Sequence, residues 1–96
     1  MKVKTKSGFS CDINEKKMKD WRFIKALAKC DSQDESKRLE GITFLVPFLF
    51  GEKGEATLIK HVTKDGIAST EDIIGEFREV LTLASAELKK SQSSQE

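Results

Sequence analysis

The sequence predicts a mainly α fold, a four-helix single domain with a short N-terminal β-hairpin. Three observations carry this. Apolar residues recur at helical spacing in four stretches, each bounded by capping or turn residues. Residues 2–13 instead alternate at period two. The length of 96 residues suits one domain, with core enough to stand without disulfides or a metal. We expect that domain over residues 1–90 and a disordered Ser/Gln-rich tail over 91–96.

The hairpin comes first. Val3 and Thr5, then Phe9, Cys11 and Ile13, alternate with polar residues around a Ser7-Gly8 turn. A lone hairpin is marginal, so it must lie on the helices or on another copy's strands.

Helix one is expected from about Glu15 to Cys30, with Asn14 as N-cap. Met18, Trp21, Ile24, Leu27 and Ala28 form its apolar stripe, with Phe23 to one side. Trp21 is read as core; a stacking platform for nucleic acid is the alternative. Lys16, Lys17, Lys19, Arg22, Lys25 and Lys29 read as a solvated face, or else as phosphate contacts.

Asp31 to Glu35 punctuates the chain, and Ser32 followed by Glu35 fits a capping box. The acids lack the alternating ligands and glycine of a Ca²⁺ loop. Helix two then runs into Ile42-Thr43-Phe44-Leu45-Val46-Pro47-Phe48-Leu49-Phe50, which holds three of the six Phe and the only Pro. A buried strand competes with a helix here, but Pro cannot donate to a central ladder. Leu39, Ile42, Val46 and Leu49 fall on one helical face, so a helix of about five turns is favoured, bent by Pro47. The run is apolar nearly all round, so it serves partly as core and partly as surface for another chain.

Gly51-Glu52-Lys53-Gly54 reads as a helix stop and turn, because the spacing of a phosphate-binding loop is missing. A short helix three comes next, about Glu55 to Thr63, with Ala56, Leu58, Ile59 and Val62 for packing. Lys64-Asp65-Gly66 makes a turn. Ser69 caps helix four, whose Ile74, Phe77, Leu81, Ala84 and Leu88 make a seam widened by Ile73, Val80 and Leu83.

Composition bounds the function. Apolar residues are 38% and charged residues 34%, and the net charge is +1, too small to require nucleic acid as partner. Residues 1–40 carry a net +4 and residues 41–96 a net −3, which could orient one copy head to tail on another. Cys11 and Cys30 are too few for a disulfide framework and read as free thiols, though one bridge could form. No apolar run reaches the ~18 residues of a membrane span, and the start does not resemble a signal peptide. His61 is the only His and has no Cys near it in sequence, a poor metal ligand set. No nucleophile, zinc or dinucleotide motif occurs. We expect no enzyme, no cofactor and no metal.

Several pieces, in order, carry a likeness. They are Lys4-Thr5-Lys6-Ser7-Gly8-Phe9 with Asp12-Ile13-Asn14-Glu15, then Asp20 to Ala28 (DWRFIKALA), Gly51-Glu52-Lys53-Gly54-Glu55-Ala56, His61-Val62 and Asp65-Gly66. Together they resemble small tail assembly chaperones of long-tailed phages of Gram-positive hosts, over nearly the whole chain. The resemblance implies a mainly helical protein that self-associates and coats the tape measure protein until tail-tube subunits replace it. It implies tape measure protein, further copies of itself and the tail-tube protein as partners, with no membrane and no nucleic acid. It places the protein in the cytoplasm of the infected or lysogenic bacterium and not in the mature virion. Many relatives have a longer, frameshifted form; an A-rich codon run at Lys89-Lys90 would permit one, and a nucleotide sequence without a slippery run would remove that hypothesis.

Phe44, Leu45, Phe48, Leu49 and Phe50 are the expected partner and self-association residues, dividing between core, neighbour and client. Two readings stand beside this: a small helical nucleic-acid-binding regulator, and an oligomeric structural tail component without a client.

Overall fold

The computed structural model describes residues 1–93. It is mainly helical, with three helices where four were expected. Strands β1 (Lys2–Lys4) and β2 (Ser10–Asp12) come first. A 3-10 segment (Glu15–Lys19) leads to helix α1 (Trp21–Cys30) and helix α2 (Glu35–Val62). Strands β3 (Thr63–Lys64) and β4 (Ile67–Ala68) and helix α3 (Thr70–Ser93) complete the order.

The N-terminal hairpin forms within the chain. β1 and β2 are antiparallel, with Val3 opposite Cys11. Thr5 N–H donates to the Phe9 carbonyl at 2.8 Å and Gly8 N–H to the Thr5 carbonyl at 3.1 Å. Val3, Thr5, Phe9 and Ile13 are buried on one side, as the alternation requires. That side lies on the helices: the Phe9 ring is 5.8 Å from Phe50, which is 5.9 Å from Phe77. Phe50 therefore joins the hairpin to α3.

The expected first helix is broken at Asp20. Asn14 does accept the Lys16 N–H, at 3.0 Å, but it opens only the 3-10 segment. Asp20 has extended backbone (ψ 139°), and its carboxylate accepts the Arg22 N–H at 2.7 Å, capping a new helix. The restart changes the buried face. Phe23 and Ala26 are buried and Leu27 and Cys30 half-buried, while Trp21 is 71% exposed and Ile24 45%. Trp21, expected in the core, lies outside it. α1 is apolar on two sides, so periodicity alone could not choose between them.

α1 runs antiparallel to the first half of α2, pairing Arg22 with Phe48, Ala26 with Gly41 and Lys29 with Glu40. The helices meet most closely at Gly41, where a Cβ would lie 2.6 Å from the Ala26 carbonyl oxygen. α2 starts at Asp34, which accepts the Ser36 N–H at 3.0 Å. Ser32 is therefore not the cap; its hydroxyl accepts the Asp34 N–H instead.

The 42–50 segment is helical, and Pro47 lies inside α2. At Gly51 the backbone leaves the helical region (φ +75°, ψ 170°). The chain re-enters helix at once, so the expected second and third helices are two halves of α2 about a one-residue break. Only glycine takes that conformation readily. Leu58 and Val62 of the second half are buried; Ile59 is not. β3 and β4 pair across Asp65 (φ +54°) and Gly66 (φ +79°), forming a tight hairpin where only a turn was expected.

α3 opens as expected, with the Ser69 carbonyl accepting the Ile73 N–H at 3.0 Å. Phe77, Val80 and Ala84 are buried, Ile74, Leu81 and Leu88 half-buried, and Leu83 exposed. The helix continues to Ser93, through part of the expected tail; residues 94–96 lie outside the described residues. Cys11 and Cys30 are free thiols.

Candidate functional site

Three of the five expected surface residues belong to the interior. Leu45, Leu49 and Phe50 pack in the core with Val3, Phe9, Phe23 and Phe77. The other two look outward: Phe44 is 41% exposed and Phe48 half-buried. Successive residues of a helix point about 100° apart, so one apolar run must serve two faces.

Phe44 and Phe48 stack at 5.2 Å, as one-turn neighbours do. Two cations cover the Phe48 ring, Lys17 Nζ at 5.5 Å and the Arg22 guanidinium at 5.1 Å from its centroid. Lys17 Nζ also donates to the Phe48 carbonyl at 2.9 Å, beside the break at Gly51. The 3-10 segment thereby clips onto the end of the first half of α2.

Between α1 and α2 lies an open cavity of about 430 Å³, with Arg22, Lys25, Lys29, Glu40, Thr43 and Phe44 on its walls. Arg22 pairs with Asp20 at 3.0 Å and Lys29 with Glu40 at 2.8 Å. Hydrogen bonds from Arg22 hold the Asp20 carboxyl below its ordinary value, and Lys29 does the same for Glu40. Lys25 has no ion-pair partner among the described residues. Along the outer side of α1, Trp21, Ile24 and Ala28 form a second apolar stripe next to these cations. Sequence periodicity found this stripe but assigned it to the core. The missed signal was Asp20, a strong cap set inside a continuous helical pattern.

One polar cluster resembles catalytic chemistry. His61 Nε2 lies 2.9 Å from Ser7 Oγ, and Glu76 accepts from the same hydroxyl. Thr5 Oγ1 donates to Glu76 as well, at 2.8 Å, and the Lys6 N–H donates to Glu79 at 2.6 Å. Ser7 has one proton, and it points at Glu76. His61 Nε2 then serves as donor to Ser7 and offers that hydroxyl no lone pair. Glu76 also sits on the Nε2 side of His61, at 3.9 Å, not behind Nδ1 where a triad acid belongs. The cluster ties the hairpin turn to α2 and α3.

Among the described residues no group of three His, Cys, Asp or Glu side chains could hold a metal ion. No described helix is long and apolar enough to cross a membrane. Burial, and secondarily the neighbouring Asp12, pushes the Cys11 thiol up to about 11; burial also raises Cys30. Neither has the depressed pKa of a reactive cysteine. The surface thus offers apolar and cationic contact along α1 and the first half of α2. No protein-family model, curated protein or solved structure matches the chain.

Proposed function

We propose that the protein is a tail assembly chaperone of the long-tailed phage type, which self-associates and covers the tape measure protein until tail-tube subunits replace it. The motif order from Lys4-Thr5-Lys6-Ser7-Gly8-Phe9 to Asp65-Gly66 supports this reading. One structural observation carries it further: Trp21, Ile24 and Phe44 remain open after the chain has filled its own core. Apolar surface kept open at the cost of solubility is contact surface for another chain. Covering one large side chain of roughly 100 Å² at ~25 cal/mol/Å² gains some 2.5 kcal/mol, much of it lost to ordering. Single contacts are then weak and displaceable, while an array along one client gains avidity. This role is cytoplasmic, in an infected or lysogenic bacterium, and ends before the virion matures.

The test is co-expression with a tape measure protein followed by purification through the client. Wild type should co-purify in several copies, and Phe44→Asp with Trp21→Ser should remain folded and be lost from the complex. Retention of that variant at wild-type stoichiometry would overturn the reading.

The exposed Trp21 beside Arg22 and Lys25 also favours a second reading, a single-stranded nucleic-acid site built on stacking and charge. It requires binding that falls steeply with salt and on neutralising Lys16, Lys17 and Lys25.

A further inference from the structure

We infer that the groove between α1 and α2 takes an amphipathic helix whose apolar stripe is flanked by Asp and Glu. The inference rests on the client-binding reading and specifies the chemistry of what is bound.

Shape comes first. α1 and the first half of α2 lie side by side, held close at Gly41, and leave a groove with Phe44 on one wall and Lys25 on the other. Two helices in a layer, with apolar residues on the rim, form the seat into which a third helix packs. The paired span from Glu40 to Phe48 is about 12 Å long at 1.5 Å per residue, so it engages two to three turns.

Charge selects the occupant. The 3-10 segment and α1 carry Lys16, Lys17, Lys19, Arg22, Lys25 and Lys29 against Glu15 and Asp20. Arg22 and Lys29 have acidic partners within the chain. Lys17 meets the Phe48 carbonyl and ring but no carboxylate, and Lys25 meets no anion, among the described residues. An acidic flank supplies what Lys25, on the groove wall, lacks, and a basic flank is repelled. A second copy applying the same face about a two-fold axis would set Arg22, Lys25 and Lys29 against themselves. Nucleic acid would meet the Asp20 and Glu40 carboxylates beside Arg22 and Lys29.

Trp21 is the only Trp; it is 71% exposed and immediately precedes Arg22, which lines the groove, so its emission reports an occupant that reaches past Arg22 along α1. The experiment titrates the full-length protein with two synthetic helical peptides sharing one Leu stripe, one flanked by Glu and the other by Lys. The Glu peptide should shift Trp21 emission to the blue at a concentration at least about tenfold lower than the Lys peptide. Lys25→Glu, on an exposed position of α1, should abolish or invert that ratio, and added salt should shrink it. Equal response to both peptides overturns the acidic preference and leaves the client-binding reading standing. No response to either overturns both. A blue shift with protein concentration alone assigns the groove to a second copy, and tighter binding of single-stranded DNA assigns it to nucleic acid; each overturns the inference.

Discussion

Gly51→Ala separates a broken α2 from a continuous one. At φ +75° and ψ 170°, Gly51 occupies backbone space that is essentially reserved for glycine. No atom lies within 4 Å of where its Cβ would stand, so the added methyl meets nothing and the entire cost is conformational. That cost is of order 1–3 kcal/mol. For a domain of this length, each kcal/mol lowers Tm by roughly 4–8 °C. Gly75→Ala is the control. Gly75 lies within α3 with equally open surroundings and no positive φ. Alanine there should stabilise by about 0.5–1 kcal/mol, through helix propensity alone. Thermal and urea unfolding followed by far-UV circular dichroism read both variants. The two glycines, each with free space where a Cβ would stand, should move Tm in opposite directions. A neutral or stabilising Gly51→Ala would mean that α2 runs straight through residue 51. Leu58 and Val62 could not then reach the core.

Three further outcomes rest on the same packing. Phe50→Ala should cost about 3–5 kcal/mol, because Phe50 touches both Phe9 and Phe77, while Phe44→Ala should cost under about 1 kcal/mol; similar losses in urea unfolding would erase the division of the 42–50 run. Glu76→Ala should loosen the N-terminal hairpin by about 1–3 kcal/mol, since it removes the charged acceptor that the Thr5 and Ser7 hydroxyls share; unchanged hydrogen exchange at Thr5 and Gly8 would refute the tie. With its thiol near 11, Cys11 is only about 0.1% thiolate at pH 8. Its alkylation should be about a hundredfold slower than that of an unfolded thiol and should rise about tenfold per unit up to pH 10. The raised value favours the protonated form in the fold, so this stabilisation holds below pH 9 and is lost between about 9 and 11.

Several elements with a local signal were legible in the chain. The alternation of Val3, Thr5, Phe9, Cys11 and Ile13 gives the hairpin, because a strand shows one face per two residues whatever it packs on. Asp65-Gly66 gives a turn, since those residues tolerate positive φ. Ser69 and the Phe77, Leu81, Ala84 and Leu88 seam give α3, whose cap and apolar stripe agree. The helical state of 42–50 and its division between buried and exposed side chains were legible too, from Pro47 and from too many apolar residues for one face. Packing settled whatever is relative. α1 has two apolar sides, and the closest approach of Ala26 to Gly41 selects Phe23 for the core and leaves Trp21 outside. Gly51 could end a helix or break one, and the turns beyond it, anchored by Leu58 and Val62 in the core, make it a break. Periodicity reports that an apolar face exists; only a packed partner reports where that face points, because burial is a property of two surfaces and a sequence supplies them one at a time.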